Sequence, residues 1–194
     1  VANRGNQPEL LTKTLRDLFE VNVIGNIHLF NLFTPLILKG QAKKVIAIST
    51  GLADPAFTSA YDVKPGALYA ASKAAMNLVV AKYSAQYRKD GVLFLALSPG
   101  LVDVGHYNDG ELKCFFWECS TTLLTMFCFS PVTPEQMEGM GGLMAAFAQY
   151  APHFKGPITP EQSVAAMKSV IADVSVEKGN AGDFLSHHGN KQWL

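Results

Sequence analysis

The chain has 194 residues, 48% apolar and 16% charged, enough for one domain with a sizeable core and few solvated segments. Sixteen basic residues balance sixteen acidic ones, so no basic tract suggests nucleic acid or an anionic membrane surface as a partner. No run of 18 purely apolar residues marks a membrane span, and no charged-then-apolar leader marks a signal peptide. The first residue is Val1 rather than Met, which suggests a chain that begins inside a longer protein. Cys114, Cys119 and Cys128 are an odd set at spacings that match no zinc pattern. They argue for a reducing, cytoplasmic setting without a disulfide framework or a metal site.

Pro8 to about Leu38 is predicted as one long helix, because Leu11, Leu15, Phe19, Val23, Ile27 and Phe30 recur at helical spacing. Lys39-Gly40 closes it. KKVIAIST, at 43–50, is a short apolar run between turn signals and is predicted as a buried strand. Gly51 to Gly66 carries Pro55, Asp62 and Pro65 and is expected to be a loop. Leu68 to Tyr87 is helical again and ends at Lys89-Asp90-Gly91. VLFLALS at 92–98 is a second buried strand, stopped by Pro99-Gly100.

The tetrapeptide TPEQ occurs at 133–136 and 159–162. Threonine at the cap, proline at the first helical position and glutamine three past the cap form a helix start, not an internal repeat. The second helix is expected from Pro160 to about Glu177, followed by a short strand at Phe184 to Ser186 and a polar tail. Helices alternating with short apolar strands predict an α/β fold with a parallel sheet.

Within ALYAASKAAMN, at 67–77, Tyr69 and Lys73 stand four apart and therefore share a helix face. An adjacent ammonium favours phenolate, so the pair is expected to lower the tyrosine's pKa and let it exchange a proton with a carbonyl or alcohol oxygen. A solvated lysine beside an edge tyrosine is the bland alternative, and the surroundings weigh against it. Ser49 and Thr50 end a buried strand, where open α/β sheets place ligands. Asn22 sits inside an apolar helix, and Pro99-Gly100 ends the next strand with backbone that can approach a ligand.

YAASK, the preceding N-V-x-G, the hydroxyl-ended strand and S-P-G, in that order, resemble the short-chain dehydrogenase/reductase family. The resemblance implies hydride transfer between NAD or NADP and a small carbonyl or alcohol substrate. It implies Tyr69 as acid/base, Lys73 as the group that lowers its pKa and holds the nicotinamide ribose, and Asn22 as support for a proton relay. Thr50 or Ser49 would orient the substrate oxygen; the family position falls on Thr50, and both stay open. Pro99, Gly100 and Val102 match the loop beside the nicotinamide, while a threonine frequent in the family is replaced by Val104.

The family's Gly-rich cofactor turn has no counterpart in the 21 residues before Asn22, and EGMGGLM at 138–144 follows a helix cap rather than a strand. The expected architecture is therefore a partial Rossmann-type doubly wound sheet, a single domain over 1–194 without its N-terminal strands. KKVIAIST would then form an exposed edge.

Residues 110–131 hold all three cysteines, one of two tryptophans and four of twelve phenylalanines, with no helical or strand period. They read as an insertion: an apolar lid, a membrane-touching hairpin weakened by Lys113 and Glu118, or a retained intron. Codons for Gly110-Glu111-Leu112 can supply an intron start, Leu124-Thr125 a branch sequence, and Phe127 to Val132 a pyrimidine tract ending in CAG. Removal of the 22 residues keeps the frame, which favours the intron.

Two functions follow. One is an NAD(P)-dependent oxidoreductase, with this chain alone inactive and with homo-oligomers expected by family analogy. The other is a truncated, non-catalytic relative that acts as a binding module.

Overall fold

The computed structural model describes residues 7–104 and 134–194, the side chains of 134–140 excepted. Residues 110–131, with the lid, hairpin and intron readings and the three cysteines, lie outside the described residues.

The chain opens with α1 (Pro8–Phe19) and α2 (Gly25–Lys39), joined by a wide helical turn over Glu20–Ile24. In that turn the Gly25 N–H reaches back five residues to the Glu20 carbonyl, which marks a π-bulge. The single helix expected from Pro8 is continuous in direction but bulged at its centre. Apolar spacing does not register one inserted residue.

Strand β1 (Lys44–Ile48) leads into a tight turn at Gly51–Ala53 and a short helix, α3 (Pro55–Ala60). The segment expected to be a loop thus contains helix. The Asp54 carboxylate caps the Ala56 N–H and Pro55 fills the first helical position, so the start signal was present in the sequence. Then come α4 (Ala67–Tyr87), β2 (Leu93–Ser98), α5 (Pro134–Tyr150), α6 (Pro160–Asp173) and β3 (Phe184–Ser186). Thr159 and Gln162 form the reciprocal capping box expected of TPEQ. Helix α6 ends at Asp173, earlier than expected, because Val174 turns extended and buries.

The three strands form one parallel sheet in the order β1-β2-β3. Ile48 pairs with Leu97 and Ser98 with Ser186. Every residue of β2 is buried, and its alternating side chains serve two layers. Phe94 and Ala96 join Val23 of the wide turn, Phe30 of α2, and Met76 and Val80 of α4. Leu93, Leu95 and Leu97 join Val170, Val174 and Leu185 on the α6 side. A sheet covered on both faces is the doubly wound arrangement, and it explains why β2 reads as an unbroken apolar run.

The far edge of β1 has no partner strand among the described residues, and Ile48 is 50% exposed there. The run Pro8–Lys39 is long and apolar enough, by length and composition, to cross a membrane. Its inner face packs Phe30 edge-on against Tyr83 and Phe94, while Val21, Leu29, Leu32 and Leu36 are exposed. The tail expected to be polar after β3 buries His187 and Trp193.

Candidate active site

Parallel pairing brings the carboxyl ends of β1 and β2 side by side, and the chain leaves both strands through the candidate residues. The Ser49 N–H donates to the Leu97 carbonyl at 2.8 Å, extending the ladder one residue past β1. Helix α4 then returns over the sheet and places Tyr69 and Lys73 above that end.

Lys73 Nζ donates to the Ile48 carbonyl at 2.9 Å, which fixes the ammonium against the last residue of β1. It stands 5.8 Å from the centre of the Tyr69 ring. The expected proximity of the pair is therefore present, but its expected electrostatic effect is not. Burial holds the Tyr69 phenol above its ordinary pKa and the Lys73 ammonium below its own. Desolvation penalises the charged form of each group, and the ammonium lies over the ring with a carbonyl as its partner.

The two candidate hydroxyls separate. Ser49 is 3% exposed, and its Oγ donates to Asn77 Oδ1 at 2.7 Å. Thr50 is half-buried in extended backbone, and its Oγ1 accepts the Leu52 N–H at a long 3.4 Å. Among the described residues the Thr50 hydroxyl proton has no acceptor. Asn77 continues the stripe of Tyr69 and Lys73 along α4 at i+8, a spacing that the sequence itself carries.

Asn22 sits in the π-bulge. Its Nδ2 donates to Ser72 Oγ at 3.0 Å, and Ser72, fully buried, donates to the Tyr69 carbonyl at 2.8 Å. The Asn22 carbonyl accepts Asn26 Nδ2 at 3.0 Å. Ser72 lies inside YAASK, yet nothing in the spacing marked it as the partner of a residue 50 positions away.

The loop after β2 is held from two sides. Buried Ser163 of α6 donates its hydroxyl to the Pro99 carbonyl at 2.7 Å. Gly100 has φ +82°, and a Cβ there would lie 2.7 Å from His187 Cε1, so glycine is required on both counts. Val102 pairs with Ile158 in a parallel bridge. No sequence signal pointed to Ser163 or His187. The His187 imidazole is pushed down to about 4 by burial and then by the neighbouring His188 charge.

A nicotinamide cofactor can be tested against these residues. Lys73 and Tyr69, at the carboxyl end of β1, are the groups that would hold a nicotinamide ribose, while the close approach that Gly100 allows is taken by His187. Among the described residues no diphosphate cradle is formed at the glycine cluster: 138–144 lies inside α5, where a Cβ at Gly141 or Gly142 would meet no neighbour. Among the described residues no Gly-rich turn joins a strand to a helix.

The short chain dehydrogenase family model matches residues 1–111. The chain belongs to that family. It is 48% identical over 190 residues to the short chain dehydrogenase virK of Hypocrea virens, covering 98% of this chain and 62% of that protein. It is 46% identical over 190 residues to the short-chain dehydrogenase/reductase iacC of Pestalotiopsis fici, with the same coverage. The chain thus spans 62% of the length of these curated relatives. Among solved structures it resembles NADPH-bound carbonyl reductase from chicken fatty liver, with a TM-score of 0.60 and 21% identity over 92% of this chain and 56% of that one. Carbonyl reductase Sniffer of D. melanogaster gives 0.57 and 19%, over 91% and 55%. At such identities these two carbonyl reductases share a fold with the chain, a Rossmann-type α/β sheet of which three strands are described.

Proposed function

We propose that this chain is the catalytic part of an NAD(P)-dependent oxidoreductase that reduces a small carbonyl compound to an alcohol. The observation that carries the reading is the Lys73 ammonium, with the Tyr69 ring beside it, bonded to the Ile48 carbonyl at the carboxyl end of β1, two residues before Thr50. The Lys73–Ile48 bond ties the helix to the strand there.

Tyr69 acts as the acid. Its phenol, ordinarily titrating at 10.0 and held above that by burial, is protonated at neutral pH and donates to a carbonyl oxygen as negative charge develops there. Thr50, whose hydroxyl proton has no acceptor among the described residues, donates a hydrogen bond to the same oxygen and orients it. Ser49 is committed to Asn77 and supports the turn instead. When bound, the nicotinamide coenzyme supplies the hydride that forms the new C–H bond. Lys73 would be the group to hold the coenzyme ribose, and its ammonium would stand next to the phenolate left on Tyr69. Asn22, through Ser72, holds the Tyr69 turn and supports return of the proton from solvent.

The coenzyme's remaining contacts would come from the part of the relatives' length that this chain does not span, so the 194 residues alone are inactive in this reading. The bare edge of β1 and the lack of a Gly-rich turn among the described residues favour a second reading, a non-catalytic relative that binds other molecules. Coenzyme-dependent reduction of a carbonyl panel, by a protein extended to the relatives' length, decides between the two. Consumption of NADH or NADPH supports the enzyme, and its absence with a folded protein supports the binding module.

A further inference from the structure

We propose that Trp193 is a positioning residue that holds the turn carrying Thr50, so that the segment after β3 sets the direction of the substrate-orienting hydroxyl. The inference rests on the dehydrogenase reading for its purpose, though not for its geometry.

Trp193 is 3% exposed although it lies in a stretch rich in polar residues. Its indole stacks on Phe184 of β3 at 4.4 Å between ring centres and 21° between planes. Its Nε1 donates to Asp54 Oδ2 at 3.0 Å. The same carboxylate uses Oδ1 to cap α3 through the Ala56 N–H, so one side chain links the tail to the start of that helix. The Trp193 N–H donates to the Tyr150 hydroxyl at 3.0 Å, and that hydroxyl donates to the Lys191 carbonyl at 2.9 Å. The tail is thereby fastened to α5 as well.

The contact that matters is with Gly51. A Cβ at position 51 would lie 2.5 Å from Trp193 Cβ, so the tail rests directly on the backbone following Thr50. Three amides define that turn. Leu52 N–H bonds Thr50 Oγ1, Ala53 N–H bonds the Thr50 carbonyl, and Asp54 N–H bonds the Gly51 carbonyl. Trp193 therefore presses on one end of the turn and anchors the other through Asp54. A turn of four residues held at both ends has little freedom to rotate the hydroxyl it carries. Precision of this kind is what catalytic positioning requires, since displacements near 1 Å are costly (about a hundredfold in rate).

The test uses the 194-residue chain and two variants. Trp193→Phe keeps a ring on Phe184 and removes the donor to Asp54. Gly51→Ala leaves Trp193 intact and forces its Cβ contact apart. In both, the Leu52, Ala53 and Asp54 amides should exchange hydrogen at least about fivefold faster, with β2 amides within about twofold of wild type. The Thr50 methyl resonance should shift in both. Unchanged exchange at 52–54 and an unmoved Thr50 methyl would overturn the proposal. Equal acceleration in β2 would overturn it too, by making Trp193 an ordinary core side chain. Neither readout involves turnover, so an extended protein that fails to reduce carbonyls would remove the enzymatic reading without touching this result.

Discussion

Asn22 Nδ2 donates to Ser72 Oγ at 3.0 Å and so ties the π-bulge of the long helix to the turn of α4 that carries Tyr69. Removing Ser72 Oγ leaves a part-buried amide without that partner, and removing Asn22 leaves Ser72 with only the Tyr69 carbonyl. Ser72→Ala and Asn22→Ala should each cost about 1–2 kcal/mol in urea unfolding. Their double mutant should show a coupling of at least about 0.5 kcal/mol. Additive losses would mean that the bond does not hold the bulge to α4.

His187 gives the fold an acid-sensitive point. Its folded-state pKa is about 4 against an ordinary 6.5, because burial and then the His188 charge disfavour imidazolium. Between those values the unfolded chain binds the extra proton, so stability rises with pH. The contribution is fully present above 6.5 and is lost as pH falls through about 4. His187→Leu should flatten the dependence of unfolding free energy on pH across this window by up to about one proton. A slope unchanged by the substitution would contradict the assignment.

Coenzyme affinity should be absent from this chain by itself. In the proposed reading Lys73 and Tyr69 would hold a nicotinamide ribose, but the described residues offer no helix N-terminus behind a Gly-rich turn for the diphosphate. Calorimetric titration with NAD, NADH, NADP and NADPH should give no measurable heat of binding at micromolar concentrations. A micromolar dissociation constant for any of the four would show a diphosphate site elsewhere.

Residues 110–131 should be dispensable. By sequence, Phe115, Phe116, Trp117, Phe127 and Phe129 are crowded into a segment without a sustained apolar period, and large apolar groups without one face to bury favour aggregation. In an extended protein, deletion of Gly110 to Pro131 should raise soluble yield and keep activity. Lower yield together with lost activity would make the segment a substrate lid.

How legible the fold was depended on whether a residue's role is local. β2 declared itself because all of its residues are buried, and TPEQ declared α6 because its capping box closes within four residues. The short strand expected at Phe184 to Ser186 is β3. Features set by distant partners did not show. The π-bulge leaves the apolar spacing almost unchanged, and Ser72 gains its partner only when α4 crosses the long helix. Trp193 looked like part of a polar tail because Gly51 and Asp54 lie some 140 positions upstream, at a separation of 139 for the Asp54 bond. The Tyr69–Lys73 spacing gave their adjacency correctly. It could not give the pKa direction, which burial sets.

The most direct test of the central claim is turnover by Tyr69→Phe in a protein extended to the relatives' length. The substitution keeps the ring over which Lys73 sits and removes the proton that the carbonyl oxygen would receive. Loss of at least about a hundredfold in kcat, with the fold intact by circular dichroism, is the expected result for a general acid. A kcat within about threefold of wild type would show that Tyr69 is not the proton donor, since general acid catalysis contributes far more than that.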